Sequence, residues 1–180
     1  VAELEGGEKL KAALADIGRK LKRGGTLKVG FFENARYPDG TSVAMVAAIQ
    51  EYGAPAASIP PRPFLRPVIK DHEHEWPGVI LQQLKAQDGD VIKALSALGE
   101  VIVHEIQQSI IDVTAPPLSP ITIMLRKMRK DDPDLVVTGA TVGEAAARVK
   151  AGKSVAGVST KPLIDTSVMY KAVAYEVEEK

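Results

Sequence analysis

The chain has no cysteine among its 180 residues, which excludes disulfides and thiolate chemistry and fits a protein made inside the cell. Aromatic residues make up only 4%, so a core has to be built from alanine, valine, isoleucine and leucine. Net charge is missing as well. Lys+Arg and Asp+Glu both number 23, so attraction of the whole molecule to nucleic acid or anionic lipid is not implied, and any such role must come from a local patch. Nowhere do about 18 apolar residues run together as a spanning helix requires. Val1–Glu5 carries neither a basic region nor a long apolar one, so the expectation is a soluble protein without a membrane partner or a visible address. No internal repeat or low-complexity tract is visible. What is present suits one α+β domain over residues 1–180, long enough to bury a real core.

The stretch Tyr37–Pro67 concentrates the information. Tyr37-Pro38-Asp39-Gly40-Thr41 is a turn, and Ser42 stands where it can cap the helix that follows. Val43–Tyr52 is apolar around most of its circumference and stops at Gly53, so this helix is expected to be covered by the core. Residues 54–67 contain five prolines, which remove amide donors and restrict the residue before each. That predicts an extended, polyproline-like arm carrying Phe64, Leu65 and two arginines.

Leu4, Leu10, Leu14, Ile17 and Leu21 recur at helical spacing between Glu3 and Arg23, ended by Gly24-Gly25. Thr26–Glu33 reads as a strand with Leu27, Val29 and Phe31 on one face, and Gly30 marks a bulge or a close contact. Val68–Gln87 is split by Trp76-Pro77 into a short helical turn and a second helix with Ile80, Leu81 and Leu84. Val91, Leu95, Leu98, Ile102, Ile106 and Ile110 predict a long central helix up to about Asp112. Residues 113–161 form a loop-rich excursion with two short helices, near 121–130 and 141–151, the first opened by Ser119-Pro120. Ala172–Val177 alternates like a closing strand, giving a small, mostly antiparallel sheet packed against helices.

A search for catalytic or cofactor chemistry finds only partial motifs. Gly152-Lys153-Ser154 resembles the end of a phosphate loop, but the required earlier glycine falls at Ala147. His104-Glu105 lacks the second histidine of a zinc-protease helix, since Gln108 stands there. His72 and His74, among Asp71, Glu73 and Glu75, fit a solvated polar turn better than a metal site. There is no G-x-S-x-G elbow, and no carboxylate pair is singled out. The expectation is therefore a protein with no cofactor, no metal and no catalysed reaction. The run Arg126, Lys127, Arg129 and Lys130 is the only concentrated charge; offset by Asp131, Asp132 and Asp134, it suits the polar face of a short helix better than a nucleic-acid contact. In a ring it could line a DNA channel. Phe64 and Leu65 either pin the arm to its own domain or contact a neighbouring subunit, and the residues alone leave both open.

These residues resemble a family. Val29-Gly30-Phe31, Tyr37–Thr41, Val46–Gly53 and Ile59–Arg66 look like the signature of tailed-phage virion-morphogenesis proteins, the neck or tail-completion proteins related to the lambda minor tail protein Z. Leu118–Thr122 with Leu125–Lys127, Val137–Ala146 and Lys161–Thr166 are similar in order. Ser167 departs, standing where the family pattern Asp-Thr-Gly has glycine, and Val168-Met169-Tyr170 follows in place of a more usual leucine-bearing turn. The resemblance implies a structural virion protein, assembled in the host cytoplasm and placed at the head–tail junction. Its implied partners are copies of itself in a ring, the head connector and the tail terminator or tail-tube proteins, with packaged DNA in the channel. The ring contacts are expected at Ile59, Pro60, Pro61, Arg62, Pro63, Phe64, Leu65 and Arg66 on one side and at Pro116, Pro117 and Leu118 on the other. Loss of Phe64 or Arg66 is expected to harm assembly more than folding. A tail terminator and a small nucleic-acid-binding module using Arg126–Lys130 are the competing readings.

Overall fold

The structure is a computed structural model that describes residues 24–179, together with positions 11, 15 and 18. The helix read over Glu3–Arg23 lies, but for those three positions, outside the described residues. In chain order the elements are β1 (Gly25–Phe31), α1 (Val43–Tyr52), a 3₁₀ turn (Pro55–Ala57), α2 (Leu65–His72), α3 (Trp76–Ala86), α4 (Val91–Asp112), α5 (Pro120–Asp131), α6 (Gly139–Lys150), α7 (Val168–Lys171) and β2 (Val173–Glu179). The fold is α+β, and its described sheet has two antiparallel strands.

The helices start where side chains can accept their first free amides. Ser42, Asp90, Ser119 and Thr138 each accept from a backbone N–H three residues on, which defines the first turns of α1, α4, α5 and α6. Gly53 ends α1 at φ 77°, a left-handed position where a Cβ would also stand 2.8 Å from the Pro61 nitrogen. No described helix is long and apolar enough to cross a membrane.

α4 is the hub. Ala94, Leu95, Leu98, Gly99, Ile102, Ile106 and Ile110 make its buried stripe. β1 and β2 pair so that Leu27 faces Val177, Val29 faces Tyr175 and Phe31 faces Val173. Leu27, Val29 and Phe31 pack on the core that Leu98, Ile102 and Ile106 build with Val43, Phe64, Val68 and Leu163. On the alternate positions of the ladder, Lys28 is ion-paired with Glu178. Gly30 pairs regularly with Ala174, without a bulge, at φ 150°.

Two expectations change. The apolar helix α1 is not fully covered: Val43, Ala47 and Glu51 are buried, whereas Met45 and Tyr52 stay 54% and 66% exposed. The excursion 113–161 holds more order than its thin apolar content suggested. α5 and α6 pack on each other and form a second, small cluster from Met124, Met128 and Ala145, with Ile121, Leu125, Leu135, Val149 and Val155 around it.

Gly99 shows why α4 can lie so close to the sheet. A Cβ there would stand 2.6 Å from the Tyr175 ring and 3.0 Å from Leu27. Mid-helix glycine is ordinarily about 1 kcal/mol worse than alanine. Here Gly99→Ala is expected to reverse that sign and destabilise by roughly 1–3 kcal/mol, because the ring and strand must move. A lowered urea midpoint at unchanged slope would show it; a raised midpoint would contradict this packing.

Candidate interaction surface

The proline stretch is positioned by one carboxylate. Glu51, 3% exposed in the last turn of α1, accepts from the amides of Phe64 (2.8 Å), Leu65 (2.9 Å) and Arg66 (3.2 Å) and from Arg66 Nε (2.8 Å). Those amides open α2, and Phe64, at the capping position just before it, has no side chain that can cap. Glu51 thus serves as a cap from thirteen residues upstream. Arg66 also donates to the Glu51 carbonyl at 2.9 Å and stacks 4.9 Å over the exposed Tyr52 ring.

The extended arm expected over residues 54–67 is therefore corrected at both ends. Ala54 and Ile59 exchange backbone hydrogen bonds around the 3₁₀ turn, closing a compact loop. Leu65, Arg66 and Pro67 form the first turn of α2, where the amide that proline lacks has no partner within the helix. Between them, Pro60, Pro61 and Pro63 are exposed, while Arg62 and Phe64 point inward. Phe64 is 1% exposed, meets Phe31 edge-to-face at 5.9 Å, and its carbonyl accepts from Ser109 Oγ at 2.7 Å. Truncating so buried a ring costs folding stability directly, about 3–5 kcal/mol, so Phe64 is a core residue and not chiefly an assembly contact.

Arg62 reaches the second proline segment. Its Nε and Nη2 donate to the carbonyls of Pro116 (2.9 Å) and Pro117 (3.2 Å), and Nη1 donates to Gln50 Oε1 (3.3 Å). The two segments expected on opposite sides of a subunit contact thus meet within one chain. The exposed residues Pro60, Pro61, Pro63 and Pro117 belong to joined segments, while Leu118 is half-buried.

The basic run is largely occupied. Arg126 Nη1 donates to the carbonyls of Ser159, Lys161 and Ile164, and Nη2 to that of Pro162, with Asp165 3.6 Å from Nε. Burial first, and the neighbouring Arg62 charge after it, pull the Arg126 guanidinium below its ordinary value against the opposing effect of Asp165. Lys127 is paired with Asp131, and Lys130 donates to the Gly157 carbonyl. Arg129 is exposed and has no ion pair within 4.0 Å among the described residues. An electrostatic contact with a partner would rest mainly on Arg129.

Arg126 and Arg129 border two adjoining clefts of about 290 and 520 Å³. The first lies between the Tyr37–Thr41 turn, Val46 and Gln50 of α1, and the Pro162–Met169 segment. The turn is closed by Tyr37 N–H to the Thr41 carbonyl (2.9 Å) and Thr41 N–H to Asp39 Oδ1 (3.0 Å). That last bond is the main reason the Asp39 carboxyl sits below its ordinary value. Burial, then Asp165 and Asp39, push the Tyr37 phenol up. No histidine lines either cleft. The arrangement offers carboxylates, a phenol and a guanidinium for hydrogen bonding to a polar chain.

Glu51 was the residue that sequence reasoning missed. Two local oddities could have found it: an acid in the last turn of α1, against the helix dipole, and a helix that begins after Phe64 with no capping residue. Burial alone would raise the Glu51 carboxyl, but the bonds from Leu65, Phe64 and Arg66 outweigh it and hold the group below its ordinary value. A lowered folded value means that the carboxylate's contribution is complete above the unfolded value of about 4.3 and fades as pH falls through the folded one. Glu51→Gln is expected to cost about 2–3 kcal/mol at pH 7. The gap from wild type should narrow below pH 4 in urea melts, and a gap constant from pH 7 to pH 3 would contradict the capping role.

No family model, curated protein or solved structure matches the chain.

Proposed function

We propose that this chain is a structural virion protein of a tailed phage, acting at the head–tail junction as a neck or tail-completion component and assembled as a ring of several copies. The observation that carries the reading is the behaviour of the motif segments that bear the resemblance. Tyr37–Thr41 and Lys161–Thr166 are far apart in sequence, yet Tyr37, Pro38, Asp39, Thr41, Pro162, Asp165 and Thr166 line one cleft with Ser167. Ser167 adopts φ 61°, ψ 11°, the left-handed conformation that glycine takes without strain. The family pattern has glycine at that place. Of the two departures from the pattern, Ser167 and the Val168–Tyr170 turn after it, the first is thus a strained residue in a backbone geometry that glycine takes freely. Ser167→Gly is accordingly expected to be tolerated and to raise stability by up to about 1 kcal/mol, the relief of strain exceeding the entropy lost by glycine; a marked loss would count against the shared turn.

A closed ring needs two different surfaces on each copy. Two exposed apolar groups supply candidates. Met45 and Tyr52 stand exposed on α1, seven residues apart, with Arg66 stacked over the Tyr52 ring. Val136, Val137 and Val142, at 70%, 48% and 38% exposure, stand around the start of α6, the helix that carries Ala145 of the small cluster. Contact between the valine group of one copy and the α1 face of the next satisfies the head-to-tail requirement. The head connector and tail proteins would then meet the ring along its axis.

The test is the mass of the purified chain by native mass spectrometry, alone and mixed with connector and tail-tube proteins. Defined oligomers are expected, and the pair Val136→Asp and Val137→Asp should reduce them to monomers whose thermal melting is unchanged. A chain that stays monomeric with those partners, and in imaged particles, would overturn the reading.

A further inference from the structure

Away from the clefts, three side chains from three parts of the fold converge. His72 is the last residue of α2, Glu75 immediately precedes α3, and Glu105 lies on α4. His72 Nδ1 is 3.1 Å from Glu75 Oε2 and 3.7 Å from Glu105 Oε1, and all three donor atoms lie within 4.8 Å of one another. We propose that these residues bind one zinc ion or a divalent transition metal of similar chemistry.

The spacing fits the coordination. Tetrahedral zinc takes imidazole nitrogen and carboxylate oxygen at about 2.0–2.2 Å, which places neighbouring donor atoms about 3.3 Å apart. The two separations from His72 bracket that figure, and the two carboxylate oxygens lie within 4.8 Å of each other. Imidazole with carboxylates and no thiolate suits zinc and its neighbours over the alkaline-earth ions. Glu105 is held in place by a second contact: the Trp76 indole N–H donates to its other oxygen, Oε2, at 3.1 Å. That leaves Oε1 directed at His72, the kind of outer support that orients metal ligands. Glu105 is largely sheltered, at 17% exposure, whereas His72 and Glu75 are open to solvent at 39% and 56%. Water or a group from a partner can therefore complete the fourth position. The ion would clamp the corner between α2 and α3 onto the central helix. The sequence places His72 and Glu75 together in a polar turn, for which it favours solvation over a metal; what it does not show is the third ligand, because Glu105 enters from thirty residues beyond Glu75.

Titration of the full chain with zinc chloride by calorimetry tests the site. One ion per chain is expected, with micromolar or tighter affinity. His72→Ala and Glu105→Gln should each weaken binding at least about 10-fold, and Trp76→Phe about 10-fold through loss of orientation. His74→Ala, whose ring is 70% exposed and 3.8 Å from the other Glu75 oxygen, should leave affinity within about 2-fold. Saturating zinc should raise the melting temperature by roughly 5 °C in wild type but not in His72→Ala, with circular dichroism showing that the variant is folded. Magnesium should give no such rise. Absence of saturable zinc binding below about 0.1 mM, equal affinity in the His72 and Glu105 variants, or an equal response to magnesium would each overturn the proposal.

Discussion

A single buried carboxylate decides how the chain leaves its first helix and enters its second. An ionised side chain that is only 3% exposed is tolerated when donors surround it, and Glu51 collects three amides and a guanidinium. Its position at the negative end of α1 is unfavourable taken alone. Its position at the positive end of α2 reverses that. Because the carboxylate fixes the direction of the segment before α2, Phe64 enters the core beside Phe31, and Arg62 is aimed at Pro116 and Pro117. The proline content limits the alternatives open to the backbone, while Glu51 selects among them.

The same device recurs with opposite sign. Arg62 and Arg126 place buried or half-buried guanidinium groups against main-chain carbonyls of irregular segments, two for Arg62 and four for Arg126. These carbonyls have no ladder or helix to satisfy them, and a planar five-donor group can serve several at once. Replacement of either arginine by lysine keeps the charge but cannot keep that fork. The loops around the clefts are thus held by directional polar bonds, in contrast to the apolar contacts that join α5 to α6.

Local patterns explain which parts of this arrangement were legible. α1 could be read to the residue because cap and stop signal, Ser42 and Gly53, flank it, and α4 could be read as an element because the Val91–Ile110 stripe is periodic throughout, although its end was placed only near Asp112. The pairing face of β1 was likewise visible in the alternation of Leu27, Val29 and Phe31. The arm was misread because five prolines suggest extension, whereas Pro67 falls in a first helical turn, where no amide is needed. The role of Arg126 was hidden for a different reason. Its charge drew attention to external anions, yet its partners are carbonyls 33 to 38 residues further on, which no spacing rule connects. The functional proposal comes from the resemblance to a phage family, not from any local pattern of the fold.

The register of the sheet has a consequence for how its strands are held. Gly25 pairs with Glu179 and Phe31 with Val173, so closing the ladder encloses every helix from α1 to α7 in one loop. Loop-closure entropy grows with the logarithm of length, and contacts this distant in sequence slow folding more than they lower stability. Two strands alone cannot offset that entropy. The sheet therefore depends on α4 and its helical neighbours, against which Leu27, Val29 and Phe31 are packed, and has no stability apart from them.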